Sequence, residues 1–409
     1  MPVRRIVTRT ELDGGLVNLE EVRRSLRRDL DSLRAPEGYL FAGSPRYRTL
    51  FGRDSLIAAW ETLAIDPSIA KATLRILAHY QGRRVHAPSE EEPGRILHEH
   101  RFDAESRKEL PDWDFPYFGS IDSTPLFVIV AAEYERSTGD RRLVDGLWPA
   151  IEAACRWMTE YGDKDGDGFL EYNRTNPYGL LHQSWKDGIE DHLRMKPPIA
   201  MIEVQGYAVA AWRAFAALAA NRGHHDAAEY PAASAIRLRE ALNRDFWMVD
   251  RQFYALALDG SKQQRKAITS NPGHLLLMGA VPATRMRSLV ARMFCEDMWT
   301  PYGIRAHASS EPDFDPYSSH NGSIWPHDNW IFARGLLGHG FLEDAKRITG
   351  SLLRAYQAMG RIPERYVVDG EALVDVSAWS EKEWRANPLQ AWSTGALLDL
   401  LSDPRLVPP

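Results

Sequence analysis

Apolar residues recur at three- and four-residue steps along most of the 409-residue chain, which is the period of an α-helix buried along one stripe. The segment LEEVRRSLRRDLDSL at 19–33 shows the pattern. It returns at 53–65, 69–82, 122–140, 142–162, 198–223, 227–247, 284–295, 323–340, 342–360 and 388–403. A shorter apolar run at 271–280 brings the count to about a dozen helices. Alternating strand patterns are nearly absent, and only short pieces such as FYALAL at 253–258 could pair. Several helices are apolar on more than one stripe and so need partners on two sides. An open solenoid would carry a repeat of fixed length, and the sequence shows none. The pattern therefore predicts an all-α protein, an (α/α)6 barrel of six helical hairpins closed into a ring. It is expected to occupy 1–409 as one domain, with 1–18 as an amino-terminal extension. Long polar, aromatic-rich segments at 83–121, 163–197, 299–322 and 361–387 interrupt the helices. Connectors of that length are usually functional, which places a site at one rim.

Composition narrows the function classes. A net charge of −6, from 50 Lys plus Arg against 56 Asp plus Glu, provides no field for a polyanion, so nucleic acid is not an expected partner. Mean hydropathy is −0.39 and no apolar run reaches the ~18 residues of a membrane span. The start MPVRRIVTRTELDGG has no apolar core of a secretory signal. Two cysteines, Cys155 and Cys295, fit a reducing cytoplasm better than a disulfide framework.

Two loops carry candidate chemistry. In YGLLHQSWKDGIEDH (178–192), Asp187 follows Trp185 and Lys186. A carboxyl against an indole face is desolvated and holds its proton to higher pH, as a general acid must; the alternative is a helix N-cap. In GRIPERYVVDGE (360–371), Glu364 follows a proline and could activate water as a base, or form a surface ion pair. Asp187 should titrate high and Glu364 low, with Glu381 or Glu383 as the substitute base. Tryptophans crowd the long loops: Trp113, Trp185, Trp299, Trp325, Trp330, Trp379, Trp384 and Trp392. Indoles beside Asp, Asn, His and Arg suit sugars, which offer both an apolar face and hydroxyls. SSHNGSIWPHDN (318–329) adds His320, Asn321 and His327. DKDGDGFLEY (163–172) resembles a calcium loop, but its twelfth position is Arg174 rather than the bidentate Glu of an EF-hand, so a tight turn is expected. HEH at 98–100 has the wrong spacing for a metal site on one helix face. No metal and no cofactor are expected.

The chain resembles the amylo-α-1,6-glucosidase domain of glycogen debranching enzymes and, more distantly, small bacterial hydrolases that cleave glucosyl- or mannosylglycerate. The matching segments run in order from YRTLFGRDSL (47–56) through EPGRILHEHR (92–101), YFGSIDSTPLF (117–127), DGDGFLEY (165–172), SWKDG (184–188) and EVQGYA (203–208). They continue through SNPGHLL (270–276), YSSHNGSIWPHDN (317–329) and RIPE (361–364) to NPLQAWSTGALL (387–398). The resemblance implies an inverting, exo-acting α-glycoside hydrolase with Asp187 as acid and Glu364 as base. By the same motifs Tyr47, Phe51, Arg53, Asp54, Tyr117, Asp122, Trp185, Lys186, Gln205, His320, Asn321, Trp325 and His327 would hold an oligosaccharide or small glycoside. Arg46, Arg48, Arg95, Arg101 and Lys186 near these motifs suit a carboxylate leaving group, so hydrolysis of a glycerate glycoside is the second reading. A catalytically silent sugar-binding barrel is the third.

Overall fold

The computed structural model describes residues 6–7, 18–379 and 385–407. Twelve of its helices alternate between an inner and an outer ring. The outer ones are α1 (Leu19–Ser32), α3 (Pro67–His79), α6 (Arg141–Glu160), α8 (His225–Asp245), α10 (Ala283–Met293) and α12 (Leu342–Met359). The inner ones are α2 (Gly52–Glu61), α5 (Ser123–Thr138), α7 (Ile202–Ala220), α9 (His274–Leu277), α11 (Pro326–Gly338) and α13 (Ala391–Ser402). α4 (Ala104–Arg107) is a single turn inside a connector. Each inner helix packs on the next, and α13 returns to α2, closing the ring. The architecture is the (α/α)6 barrel.

Sequence explains which ring each helix joins. In α1, Asn18 Oδ1 accepts from the N–H groups of Glu20 and Glu21 and starts the helix. Only Val22, Leu26 and Leu30 are buried, a single stripe that can face one partner. Each such Leu contributes about 1.5–3 kcal/mol on burial. In α2, by contrast, every residue except Trp60 is buried, because an inner helix touches neighbours on three sides. Asp140 caps α6 through the Leu143 N–H, and Asp66 caps α3 through Ser68.

The connectors are strongly asymmetric. Links from inner to outer helices are short turns, such as 62–66 after α2 and 139–140 after α5. Links from outer to inner helices are the long ones, 80–122, 161–201, 246–273, 294–325 and 360–390. All the long segments therefore gather at one rim, where the inner helices begin. Short antiparallel pairs organise them. Leu50–Phe51 pairs with Glu99–His100, and Gly43–Ser44 pairs with Leu389–Gln390. The FYALAL segment forms Phe253–Tyr254 and Ala257–Leu258. The expected extension at 1–18 lies outside the described residues, apart from strand Ile6–Val7, which pairs with Ala372–Val374, and the capping Asn18. Glu381, Glu383 and Trp384 also lie outside them. Among the described residues no helix is long and apolar enough to cross a membrane.

Candidate active site

Inner helices begin at this rim, so the rim carries the positive ends of several helix dipoles. Carboxyls collect there. Asp54 lies in the first turn of α2, Asp122 at the N-cap of α5, and Asp328 in the first turn of α11. Gly52 allows α2 to start in place, because a Cβ there would meet the Leu97 carbonyl at 2.0 Å. Tyr47 sits just upstream at φ +64°, a left-handed conformation that a tyrosine holds only where surrounding contacts impose it.

A cavity of about 270 Å³ opens among these helix starts, near the small end of the range for ligand sites (about 300–1,000 Å³). Its walls include Tyr47, Phe51, Arg53, Asp54, Trp185, Asp187, Trp325, Glu364, Gln390 and Trp392. Trp185 stands edge-on to Trp325 at 5.9 Å, and Trp325 edge-on to Trp392 at 5.9 Å. The result is a three-indole wall. The indole N–H groups of Trp185 and Trp392 are buried with no partner among the described residues, so a hydroxyl-bearing ligand would satisfy them.

Arg53 organises the charge. Its guanidinium is 3% exposed and pairs with the wholly buried Asp122 at 3.0 Å and with Asp187. Asp187 keeps 30% of its side chain exposed, in irregular backbone just after the 184–186 bend rather than at a helix N-cap. Burial raises its pKa; Arg53 opposes this, and Asp122 adds to the rise. Glu364 is oriented by backbone. Its Oε2 accepts the Asn387 N–H at 2.7 Å, and its own N–H donates to the Asn387 carbonyl at 2.9 Å. Burial raises Glu364 as well, against that N–H and against Arg365 and Arg46. The expectation that Glu364 titrates low is therefore corrected: a buried rim desolvates both carboxyls. Asp54 is pushed furthest, to about 8, by burial against Arg53 and with help from Asp187, Glu364 and Asp122.

Not every motif residue reaches the cavity. Lys186 is fully buried, and its ammonium donates to the carbonyls of Ala306 and His320 at 2.8 and 3.0 Å. Burial pushes its pKa down to about 8. Gln205 is spent on Leu170 and Met201, tying the 163–172 turn to α7. Tyr117 stacks on Trp113 at 3.9 Å, and its hydroxyl meets Glu90 and the Leu180 N–H. Asp122 is wholly buried, pairs with Arg53 and accepts from the Ser120 hydroxyl at 2.6 Å, so it reaches the cavity only through Arg53. His320 stacks on Trp325 at 5.7 Å, and His327 on Trp392 at 3.8 Å; both back the indole wall from behind. The backbone carbonyl of Asn321 accepts from Asp315 and its N–H donates to Ser318, and the residue is absent from the cavity lining.

The cavity also contains residues that the sequence did not single out for binding: His98, Glu99, Leu110, Leu180, Ile189 and Gln390. Trp113 and Trp392, expected among the sugar-suited indoles, and Arg101, expected near a leaving group, join them. The HEH spacing speaks only against a metal site. Its real constraint is strand pairing, which sets Phe51 opposite Glu99 and so brings that segment to the start of α2. The calcium-like loop folds as a turn in which Asp163 accepts from Gly166, Asp167 and Gly168. Asp163, Asp165, Asp167 and Glu171 do converge, with ligand atoms within 4.8 Å of one another. The Lys262 ammonium, however, pairs with Asp165 at 2.9 Å, with Asp167 at 2.7 Å, and with Glu171.

Residues 47–372 match the mannosylglycerate hydrolase MGH1-like glycoside hydrolase domain. A comparison with curated protein sequences finds no match. Among solved structures, the chain is similar to a GH63 mannosylglycerate hydrolase from Thermus thermophilus in complex with Tris and D-glycerate. Identity is 16% over 93% of this chain and 99% of that one, with a TM-score of 0.69. The same enzyme in complex with glucose gives 16%, 92%, 99% and 0.70. A glycosidase variant in complex with glucose gives 18% over 96% and 100%, with a TM-score of 0.65. At these identities the structures bear on fold alone. The domain match supports a glycosidase of this type and does not single out amylo-α-1,6-glucosidase.

Proposed function

The chain belongs to the MGH1-like glycoside hydrolases, and from that premise we propose that it is an inverting, exo-acting hydrolase of a small α-glycoside. The observation that carries this reading is that Asp187 and Glu364, far apart in sequence and on separate connectors, line one small cavity walled by three indoles. Asp187 protonates the glycosidic oxygen as the bond to the anomeric carbon breaks. Glu364 takes a proton from the water that attacks the opposite face. Burial raises Asp187, the direction an acid that must carry a proton requires, and a raised Glu364 is a stronger base once ionised. Asp54, whose pKa of about 8 leaves it largely protonated at neutral pH, donates to a hydroxyl of the terminal sugar, and Tyr47, Trp185, Trp325 and Trp392 enclose the ring. A cavity this small favours a short substrate over a polymer end. The thiols, Cys155 buried and Cys295 exposed, fit a reducing cytoplasm.

Proton NMR in the first minutes of hydrolysis tests the reading, with the β-anomer of the sugar expected first from an α-glycoside. Early α-anomer would mean retention and would remove the roles given to both carboxyls. Asp187→Asn and Glu364→Gln should each lower kcat by at least roughly a thousandfold, with ligand binding retained. Near-normal turnover in Glu364→Gln would locate the base elsewhere.

A further inference from the structure

The outer part of the cavity is built by the 80–122 and 161–201 connectors, and Ile189, 63% exposed, marks the mouth. Given an exo-acting hydrolase, as proposed above, the terminal sugar fills the indole-walled floor and the leaving group lies against Glu99, Arg101, Leu110, Trp113, Leu180 and Ile189.

The charge of that wall is the informative feature. Arg101 is its one cation among the described lining residues, and it is already matched. Its Nε donates to Glu99 at 2.5 Å, and its Nη1 donates to Glu109 at 2.8 Å and to the Ser106 carbonyl. Nη2 alone makes no bond within the described chain, so Arg101 can offer one donor but no net positive charge. The cavity's other arginine, Arg53, is matched by the wholly buried Asp122 and also donates to the acid Asp187. Among the other lining carboxyls, Glu364, the base, and Asp54, which holds its proton, supply no cation. An anionic leaving group entering here would meet two arginines that are each already paired, Arg101 with Glu99 and Glu109 and Arg53 with Asp122. Desolvating its charge would gain no free counter-ion, and like-charge contact with Glu99 would oppose it. A polyhydroxyl leaving group meets none of this. It has the Trp113 face, the apolar Leu110 and Ile189, and acceptors on Glu99.

We propose that this enzyme selects glycosides whose leaving group is uncharged and rich in hydroxyls, such as glycerol or a second sugar. Carboxylate-bearing leaving groups are rejected because Glu99 and Glu109 neutralise Arg101.

The test compares α-glucosylglycerol with α-glucosylglycerate, which share a sugar and differ in one carboxylate. The wild-type enzyme should show a kcat/KM at least roughly tenfold higher on the neutral substrate, and the gap should narrow as salt rises. Glu109→Gln, a change at a side chain 76% exposed and so tolerated by the fold, should shift the ratio toward the anionic substrate by roughly threefold to tenfold. Equal or better hydrolysis of the glycerate glycoside by the wild type overturns the proposal, as does a ratio that Glu109→Gln leaves unmoved. Calorimetric binding of both glycosides to Asp187→Asn reads the same preference without turnover. Failure of the hydrolase reading, seen as no release of sugar from any glycoside, is thus distinguished from failure of this one, seen as tighter binding of the anion.

Discussion

Replacing Arg53 with methionine separates its electrostatic role from its bulk. In the folded protein Arg53 is 3% exposed between Asp122, at 0%, and Asp187, at 30%, so Arg53→Met leaves at least one carboxyl buried without a counter-charge. Removing one partner of a buried pair costs about 3–5 kcal/mol while the other stays ionised, but a carboxyl can avoid that cost by taking up a proton. If a carboxyl left buried without its counter-charge rises about 3 units from an unfolded value near 3.9, the full penalty is about 4 kcal/mol at 1.36 kcal/mol per unit. At pH 5 only about 1.1 units of that rise are felt, or about 1.5 kcal/mol. The sign follows from proton binding: the folded variant holds a proton that the unfolded chain has released, so its stability falls as pH rises from about 4 to about 7. Urea unfolding of wild type and variant at pH 5 and pH 8 should therefore show a loss about 2–3 kcal/mol larger at pH 8. An equal loss at both values, or a larger one at pH 5, would refute the assignment of Arg53 as the counter-charge and leave only a packing role.

Other outcomes follow from the same geometry. The pH profile of kcat/KM should be bell-shaped, with its acid limb above the ordinary 4.5 of a glutamate because burial raises Glu364; an acid limb at or below 4.5 would contradict this. Gln205→Ala should destabilise by about 2–4 kcal/mol, through the three bonds to Leu170 and Met201 that it breaks. Its KM at permissive temperature should stay within about twofold of wild type, and a large KM rise would instead make Gln205 a sugar ligand. Lys262→Met should destabilise by roughly 2–4 kcal/mol at pH 8 and less at pH 5. It leaves Glu171, already raised to about 7 by burial, without its cation, so the folded variant's proton affinity rises further; calorimetric unfolding across pH checks the slope.

The barrel was legible because its evidence is local. Each of the twelve helices leaves a periodic trace, and even α9, only four residues long, sits inside the apolar run at 271–280. The Asp187 and Glu364 loops stood out by composition. What the sequence could not supply was direction. Lys186 adjoins Asp187, yet its ammonium turns into the core toward Ala306 and His320, and nothing in W-K-D says which of two neighbours faces a cavity. Glu99 and Arg101 were obscured for the opposite reason. Their place depends on a two-residue strand pairing with Leu50–Phe51, too short to leave a periodic signal. The titration of Glu364 was misjudged because burial at the rim is a property of the assembled ring, not of the P-E dipeptide.

The asymmetry of the connectors also sets an order of events for a chain that has yet to fold. Pairs such as α5–α6 and α11–α12 are joined by a few residues, so each hairpin closes a small loop at little entropic cost and forms quickly. The ring itself depends on one distant meeting, α13 against α2, reinforced by Leu389–Gln390 beside Gly43–Ser44. Asn387, which holds Glu364, is tethered to Arg46 and Gln390 at that seam. The hairpins can thus exist before the catalytic pocket does. Helical content should return early in refolding, and hydrolysis only after the seam has joined.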